Sequence, residues 1–172
     1  MSFLPQFKSV QRGTITITST NTSNTATVSS VTVANSFVRL LGVDTDSNVT
    51  LRSSQAAVSL TNATTVTASR SSSSGAVIVS FEVVELFILA LKSATQEFAV
   101  SLAGAASGTA TIASVSTAKS EIVWRGCTYT GDDSDPSRAP GRLTLTNSTT
   151  VTGNRTSSTN TLTLYGTVVE WR

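Results

Sequence analysis

Few side chains in this sequence can do acid–base or metal chemistry, and one whole class is missing, since the chain contains no histidine. That removes Ser/His/Asp hydrolysis, imidazole general bases and zinc sites built on histidine. A single cysteine, Cys127, rules out an internal disulfide and an all-thiolate zinc site. With no His or second Cys beside it, Cys127 reads as a small buried or loop residue. The run Asp44-Thr45-Asp46-Ser47-Asn48 has the opening spacing of a calcium loop, in which alternate oxygens converge on the ion. Val49 stands where the turn glycine belongs and Gln55 where the bidentate Glu belongs, so Asp44, Asp46 and Asn48 are weak calcium candidates and a polar loop tip is the plainer reading. A second acidic stretch holds Asp132, Asp133 and Asp135; it follows Gly126 as the first follows Gly42, and both suit an inter-subunit salt link as well as a solvated loop. Glu82, Glu85, Glu97, Glu121 and Glu170 are the residues from which a glycosidase pair would be drawn, but their spacing singles out no pair. We therefore expect no catalytic residue, no cofactor and no enzyme.

The elements that carry these residues are set by a repeat. At an offset of 84, Thr25-Ala26-Thr27-Val28-Ser29-Ser30-Val31 meets Thr109-Ala110-Thr111-Ile112-Ala113-Ser114-Val115, and Gly42 meets Gly126. At an offset of 85, the segment Leu60–Arg70 meets Leu145–Arg155 and Val83-Val84-Glu85 meets Val168-Val169-Glu170. Three matched blocks in one order indicate a tandem duplication, with a first module over 1–86 and a second over 87–172. The join near Leu86–Lys92 lacks a Gly/Pro/Ser linker, so the two modules are expected to pack together. Within each copy the apolar period is two, as in Gly13-Thr14-Ile15-Thr16-Ile17-Thr18 and Arg142-Leu143-Thr144-Leu145-Thr146. This predicts strands near 12–19, 25–33, 36–41, 56–61, 64–70 and 76–85, then 96–102, 109–115, 120–125, 142–146, 149–155 and 161–171. The fold class expected is all-β, two tandem antiparallel β-sandwich or small-barrel modules. Phe37–Leu41 and Ile122–Arg125 are apolar on both faces at several positions, which suits a central strand or a contact with the other copy.

Composition agrees. Of 172 residues, 30 are Thr and 28 Ser, with only 22 charged, a balance that favours strands over helices. The basic residues are scattered singly and the net charge is +2, which argues against nucleic acid as a partner. The most apolar window, Val83–Leu91, is too short for a spanning helix and contains Glu85, so no membrane partner is expected. The N-terminal residues lack the pattern of a signal peptide, which points to synthesis in a cytosol. Ten aromatics serve both copies, and Trp124, Trp171, Tyr129 and Tyr165 all belong to the second, either as larger core residues or as a carbohydrate-stacking or subunit surface. Modules of this size hold marginal cores and Thr-rich edges invite pairing, so a homo-oligomer is expected.

Three words of the first copy, Lys8–Ile17, Leu60–Arg70 and Val79–Glu85, resemble small Thr-rich virion structural proteins of tailed bacteriophages. The second copy keeps the middle and closing words but carries Gln96–Ser101 in place of the opening one. The resemblance implies a non-enzymatic component of the virion, synthesised in the host cytoplasm, without saying where on the particle it sits; with the compact, disulfide-free composition, a decoration or cement protein is the leading expectation. Its partners would be other virion proteins of the head, neck or tail. The residues expected to make such contacts are Phe3, Leu4, Pro5 and Phe7 at the start, the loop Asp132, Asp133 and Asp135, and Trp171. The alternative is a tail-fibre or tail-tip adhesin that binds host-surface glycan.

Overall fold

A computed structural model describes residues 6–46, 50–131 and 141–172. Alternating Thr and aliphatic residues leave one face of each strand apolar, and the chain responds with strands almost throughout. The first half contains β1 (Phe7–Ile17), β2 (Ser23–Thr27), β3 (Ser36–Thr45), β4 (Ala56–Asn62), β5 (Thr65–Arg70) and β6 (Val77–Leu86), with one short helical turn, α1 (Leu51–Ser54). The second half contains β7 (Gln96–Ala103), β8 (Ser107–Thr111), β9 (Ser120–Tyr129), β10 (Arg142–Asn147), β11 (Thr150–Asn154) and β12 (Thr161–Glu170). All pairings are antiparallel, so the fold is all-β with packed antiparallel sheets.

The sheets run β1-β6-β3, β10-β11-β8 and a six-stranded β2-β5-β4-β9-β12-β7. Position for position, β1-β6-β3 corresponds to β7-β12-β9, and β2-β5-β4 to β8-β11-β10. The long sheet thus arises where β4 of the first half meets β9 of the second, through the pair Ala57 and Gly126. Each half closes over its own core. Ile15, Ile17, Val38, Val58, Val66, Val79 and Phe81 fill the first, and Val100, Leu102, Tyr129, Val151, Leu162 and Leu164 the second. A third cluster, Phe37, Val84, Leu86, Leu91, Val123 and Val169 with Trp171 against it, lies between the halves.

The repeated words have repeated jobs. Asn62 Oδ1 accepts the Thr64 N–H at 2.9 Å and Asn147 Oδ1 the Thr149 N–H at 2.9 Å, each fixing the hairpin turn it sits in. Arg70 and Arg155 are buried and donate to backbone carbonyls: Arg70 to those of Thr18, Asn21, Ser74 and Gly75, Arg155 to those of Leu102, Ala105 and Asn160. The duplication also exchanged one ring across a strand pair. Gly13 on β1 faces Phe81 on β6, whereas Phe98 on β7 faces Gly166 on β12. A Cβ on Gly13 would come within 2.8 Å of the Phe81 ring, and one on Gly166 within 2.5 Å of the Phe98 ring. Each half therefore places one phenyl over one glycine, from opposite strands.

Two expectations are corrected here. Gly42 and Gly126 do not end their strands; β3 runs on to Thr45 and β9 to Tyr129. In each, the residue before the glycine, Leu41 or Arg125, is an unpaired bulge, so the glycine marks a bulge and the alternation of faces shifts by one beyond it. Conversely, β2 and β8 stop at Thr27 and Thr111, several residues early. Val28 and Val31 then donate their N–H groups to Thr64 O and Ala63 O in the hairpin loop, outside any ladder.

Candidate functional site

The most constructed polar site is the seam where β4 meets β9. Gly126 sits at φ 107°, open to glycine at little cost, and a Cβ there would collide with the Ala56 carbonyl oxygen and lie 2.9 Å from Ala57 Cα. The glycine thus lets two backbones from different halves touch. Arg125, the bulge residue just before it, is buried between the halves, with only 3% of the residue exposed. Its guanidinium donates to Val58 O at 3.1 Å and Ser59 Oγ at 2.7 Å in the first half. It also donates to Gly166 O and Phe98 O, both at 3.2 Å, in the second. Glu97 Oε2 lies 2.9 Å from Nη1, and Glu97 Oε1 accepts the Leu60 N–H at 3.4 Å. The Tyr165 ring centroid is 5.9 Å from the guanidinium carbon. Burial lowers the Arg125 pKa against the pull of Glu97, and burial raises the Glu97 carboxyl although Arg125 and the Leu60 N–H draw it back. The arrangement is a clamp: one charge holds carbonyls of both halves at once.

Beside the clamp an open groove of about 400 Å³ is lined by Leu40, Val43, Gln55, Trp124 and Cys127 among others. Cys127 Sγ donates to Gln55 Oε1 at 3.0 Å, and burial pushes its thiol up to about 11, so it is an unreactive thiol at neutral pH.

Of the five glutamates singled out by sequence, Glu82, Glu85, Glu97 and Glu170 are held by partners, while Glu121 is exposed on β9. Glu82 is buried between Arg12 and Arg39. Glu85 accepts from Lys8 Nζ and the Thr32 N–H, both at 2.9 Å; burial pushes its carboxyl up, but those partners hold it below its ordinary value. Its counterpart Glu170 accepts the Ser116 N–H at 2.8 Å and Ser93 Oγ at 3.1 Å. These two anchor the same crossing loop in each half. Asp44 lies in β3, where its Oδ1 accepts the Thr45 N–H. Among the described residues, no three His, Cys, Asp or Glu side chains come together as a metal site would require. Asn48, Asp132, Asp133, Asp135, Phe3, Leu4 and Pro5 lie outside the described residues.

Of the remaining contact candidates, Phe7 opens β1 with 56% exposure, and Trp171 is half-buried, bridged to Leu91 and packed on the cluster between the halves. One surface was missed by sequence reasoning. The turn Phe87-Ile88-Leu89 is exposed, at 65% for Ile88 and 61% for Leu89. The Phe87 N–H bonds to Gln6 O, and Phe7 pairs with Leu86, so Phe7 and this turn share one end of the molecule. The signal was the apolar run Val83–Leu91, of which Phe87, Ile88 and Leu89 leave the core before Leu91 returns to it. Comparison with protein-family models, with curated proteins and with solved structures finds no match to this chain.

Proposed function

We propose that this chain is a non-enzymatic structural protein of a tailed-phage particle, attached in many copies to the head, neck or tail surface. The observation that carries the reading is the apolar end formed by Phe7, Phe87, Ile88 and Leu89. Exposed apolar side chains grouped at one end of a chain rich in Thr and Ser suit an interaction surface. The resemblance of Lys8–Ile17, Leu60–Arg70 and Val79–Glu85 to phage virion proteins supplies the class of partner. A compact β body without disulfides, closed by carbonyl-capping arginines and anchored loops, suits a part that must pack densely and persist. The second reading, a glycan-binding fibre module, rests on Trp124, which is partly exposed at the groove near Thr45, Ser54 and Gln55.

Quantitative mass spectrometry of purified particles separates these readings: hundreds of chains per particle indicate a surface coat, a handful indicate a fibre. Absence from the particles overturns both. For the leading reading, Ile88→Asp with Leu89→Asp is expected to abolish incorporation without unfolding the chain, because both side chains already face solvent.

A further inference from the structure

The duplication makes one prediction about edges that, among the described residues, bond to no second strand of the chain. Within the chain, the edge of β4 is joined to the edge of β9 at Ala57 and Gly126. The counterpart of β9 is β3, and the counterpart of β4 is β10. Each is the terminal strand of its sheet, in β1-β6-β3 and β10-β11-β8. We infer that the β10 edge of one copy docks beside the β3 edge of a second copy, repeating between chains the junction that β4 and β9 make within one.

Four observations converge on this. Gly42 stands mid-strand, where glycine weakens a sheet, yet its φ is not left-handed and nothing lies within 4 Å of where its Cβ would be. No contact inside the chain requires glycine there. At the matching Gly126 the requirement is plain, since another backbone approaches it. Leu41, the bulge matching the buried Arg125, is 51% exposed and apolar at the same open edge. Every residue of β10 from Arg142 to Asn147 is exposed or half-buried, whereas Ala56, Ala57, Val58 and Leu60 of β4 are buried.

Charge supplies the fourth. In the register of Ala57 with Gly126, Arg142 of one copy falls opposite Gly42 of the next. Asp44, two residues along from Gly42, becomes its diagonal neighbour, within reach of a long side chain. The corresponding diagonal inside the chain, Ala57 with Thr128, is uncharged. This diagonal pair of opposite charges thus appears at the β10 and β3 edges and has no equivalent on the diagonal of the β4–β9 junction. Every copy carries both edges, so association gives a reciprocal dimer, a ring or an open array according to the rotation between copies. A second copy is the occupant because β4 and β9 already make this junction within the chain, and Arg142 and Asp44 complement each other in the same register.

Sedimentation velocity of the purified full-length chain over a concentration series tests this. The chain is expected to associate reversibly. Gly42→Leu, placed in open space, is expected to leave the folded monomer's circular dichroism and melting unchanged while weakening association at least about tenfold. Arg142→Asp is expected to weaken it by a similar factor, and Arg142→Asp combined with Asp44→Arg to bring it back to within about threefold of the parent. A parent chain that stays monomeric throughout overturns the inference, as does association indifferent to Gly42→Leu or a charge swap that fails to restore. Such a result leaves the particle reading standing, since single chains can coat a surface; absence from particles in turn leaves the edge pairing standing.

Discussion

Replacing Arg125 with methionine keeps much of the side chain's volume and removes its charge and donors, so it isolates what the clamp contributes. Four hydrogen bonds and one ion pair disappear, to Val58 O, Ser59 Oγ, Gly166 O, Phe98 O and Glu97. Breaking a buried pair by removing one partner costs about 3–5 kcal/mol. Glu97 is 38% exposed at its side chain and can recover water, and Ser59 can turn its hydroxyl outward, which places the loss near the lower end. We expect about 3 kcal/mol, or roughly 6–12 °C in melting temperature for a chain of this length. Arg125→Lys keeps the charge but not the fork of donors, and should recover less than half.

Urea unfolding followed by tryptophan fluorescence and by far-ultraviolet circular dichroism is the appropriate assay. Trp124 and Trp171 both report from near the seam, while the dichroism reports all strands. A clamp that couples the halves predicts that the two probes, coincident in the parent, separate in Arg125→Met as the second half loosens from the first. The control is Leu41→Ala. It occupies the same place in the duplication but is half-exposed and bridges nothing, so a change within about 0.5–1 kcal/mol is expected. A loss below about 1 kcal/mol for Arg125→Met, with probes still coincident, would refute the clamp.

Glu85 and Glu97 should act oppositely on acid stability. The Glu85 carboxyl is depressed in the folded chain, so its contribution is complete above the ordinary carboxylate value and is lost as pH falls through the depressed one; Glu85→Gln should flatten the acid limb of a stability–pH curve. Glu97 is raised, so the folded state takes up its proton first as pH falls and gains on the unfolded chain in that window; Glu97→Gln should steepen the acid limb. Cys127, with its thiol pushed up to about 11, should resist a disulfide reagent at pH 8 in the folded chain and react at a rate set by unfolding. A fast reaction in native conditions would mean that the groove beside Gly126 opens freely. Phe98→Gly should destabilise by at least about 3 kcal/mol and Gly166→Phe by overpacking, yet the two together restore the first half's arrangement and should recover most of the loss, read from chemical denaturation. Residues 1–86 alone lose Val123, Val169 and Trp171 from over Phe37, Val84 and Leu86, and should aggregate or melt below the full chain by calorimetry.

Much of the fold was legible because alternation is a direct record of a one-faced strand. Ile15 and Ile17, Leu162 and Leu164 are fully or almost fully buried, and the strand starts at Ser36, Ala56, Gln96, Ser120, Arg142 and Thr161 fall where the pattern and turn residues placed them. What failed has physical reasons. A glycine between apolar residues reads as a break, yet a bulge uses glycine inside a continuing strand, and only the pairing of Gly42 and Gly126 with β6 and β12 distinguishes the two. Val28 and Val31 carry strand-like composition but spend their N–H groups on a hairpin loop, a choice made by tertiary contact. The exposure of Ile88 and Leu89 was hidden because hydropathy does not record which apolar residues find partners.

The seam was partly legible through contrast between the copies. A lone arginine after Ile122-Val123-Trp124, where the first copy has Leu41 after Phe37-Val38-Arg39-Leu40, is a position at which two sequences of one fold face different surroundings. Equal backbone geometry with unequal side chains is the mark of a site that one copy buries and the other leaves open. Gly42 is the converse case, because the same residue was kept at both positions although only one of them needs it inside the chain. Divergence at 41 and 125 locates the contact the halves make; identity at 42 and 126, with open space beside Gly42, is what the inferred pairing of the β3 edge with a second copy accounts for.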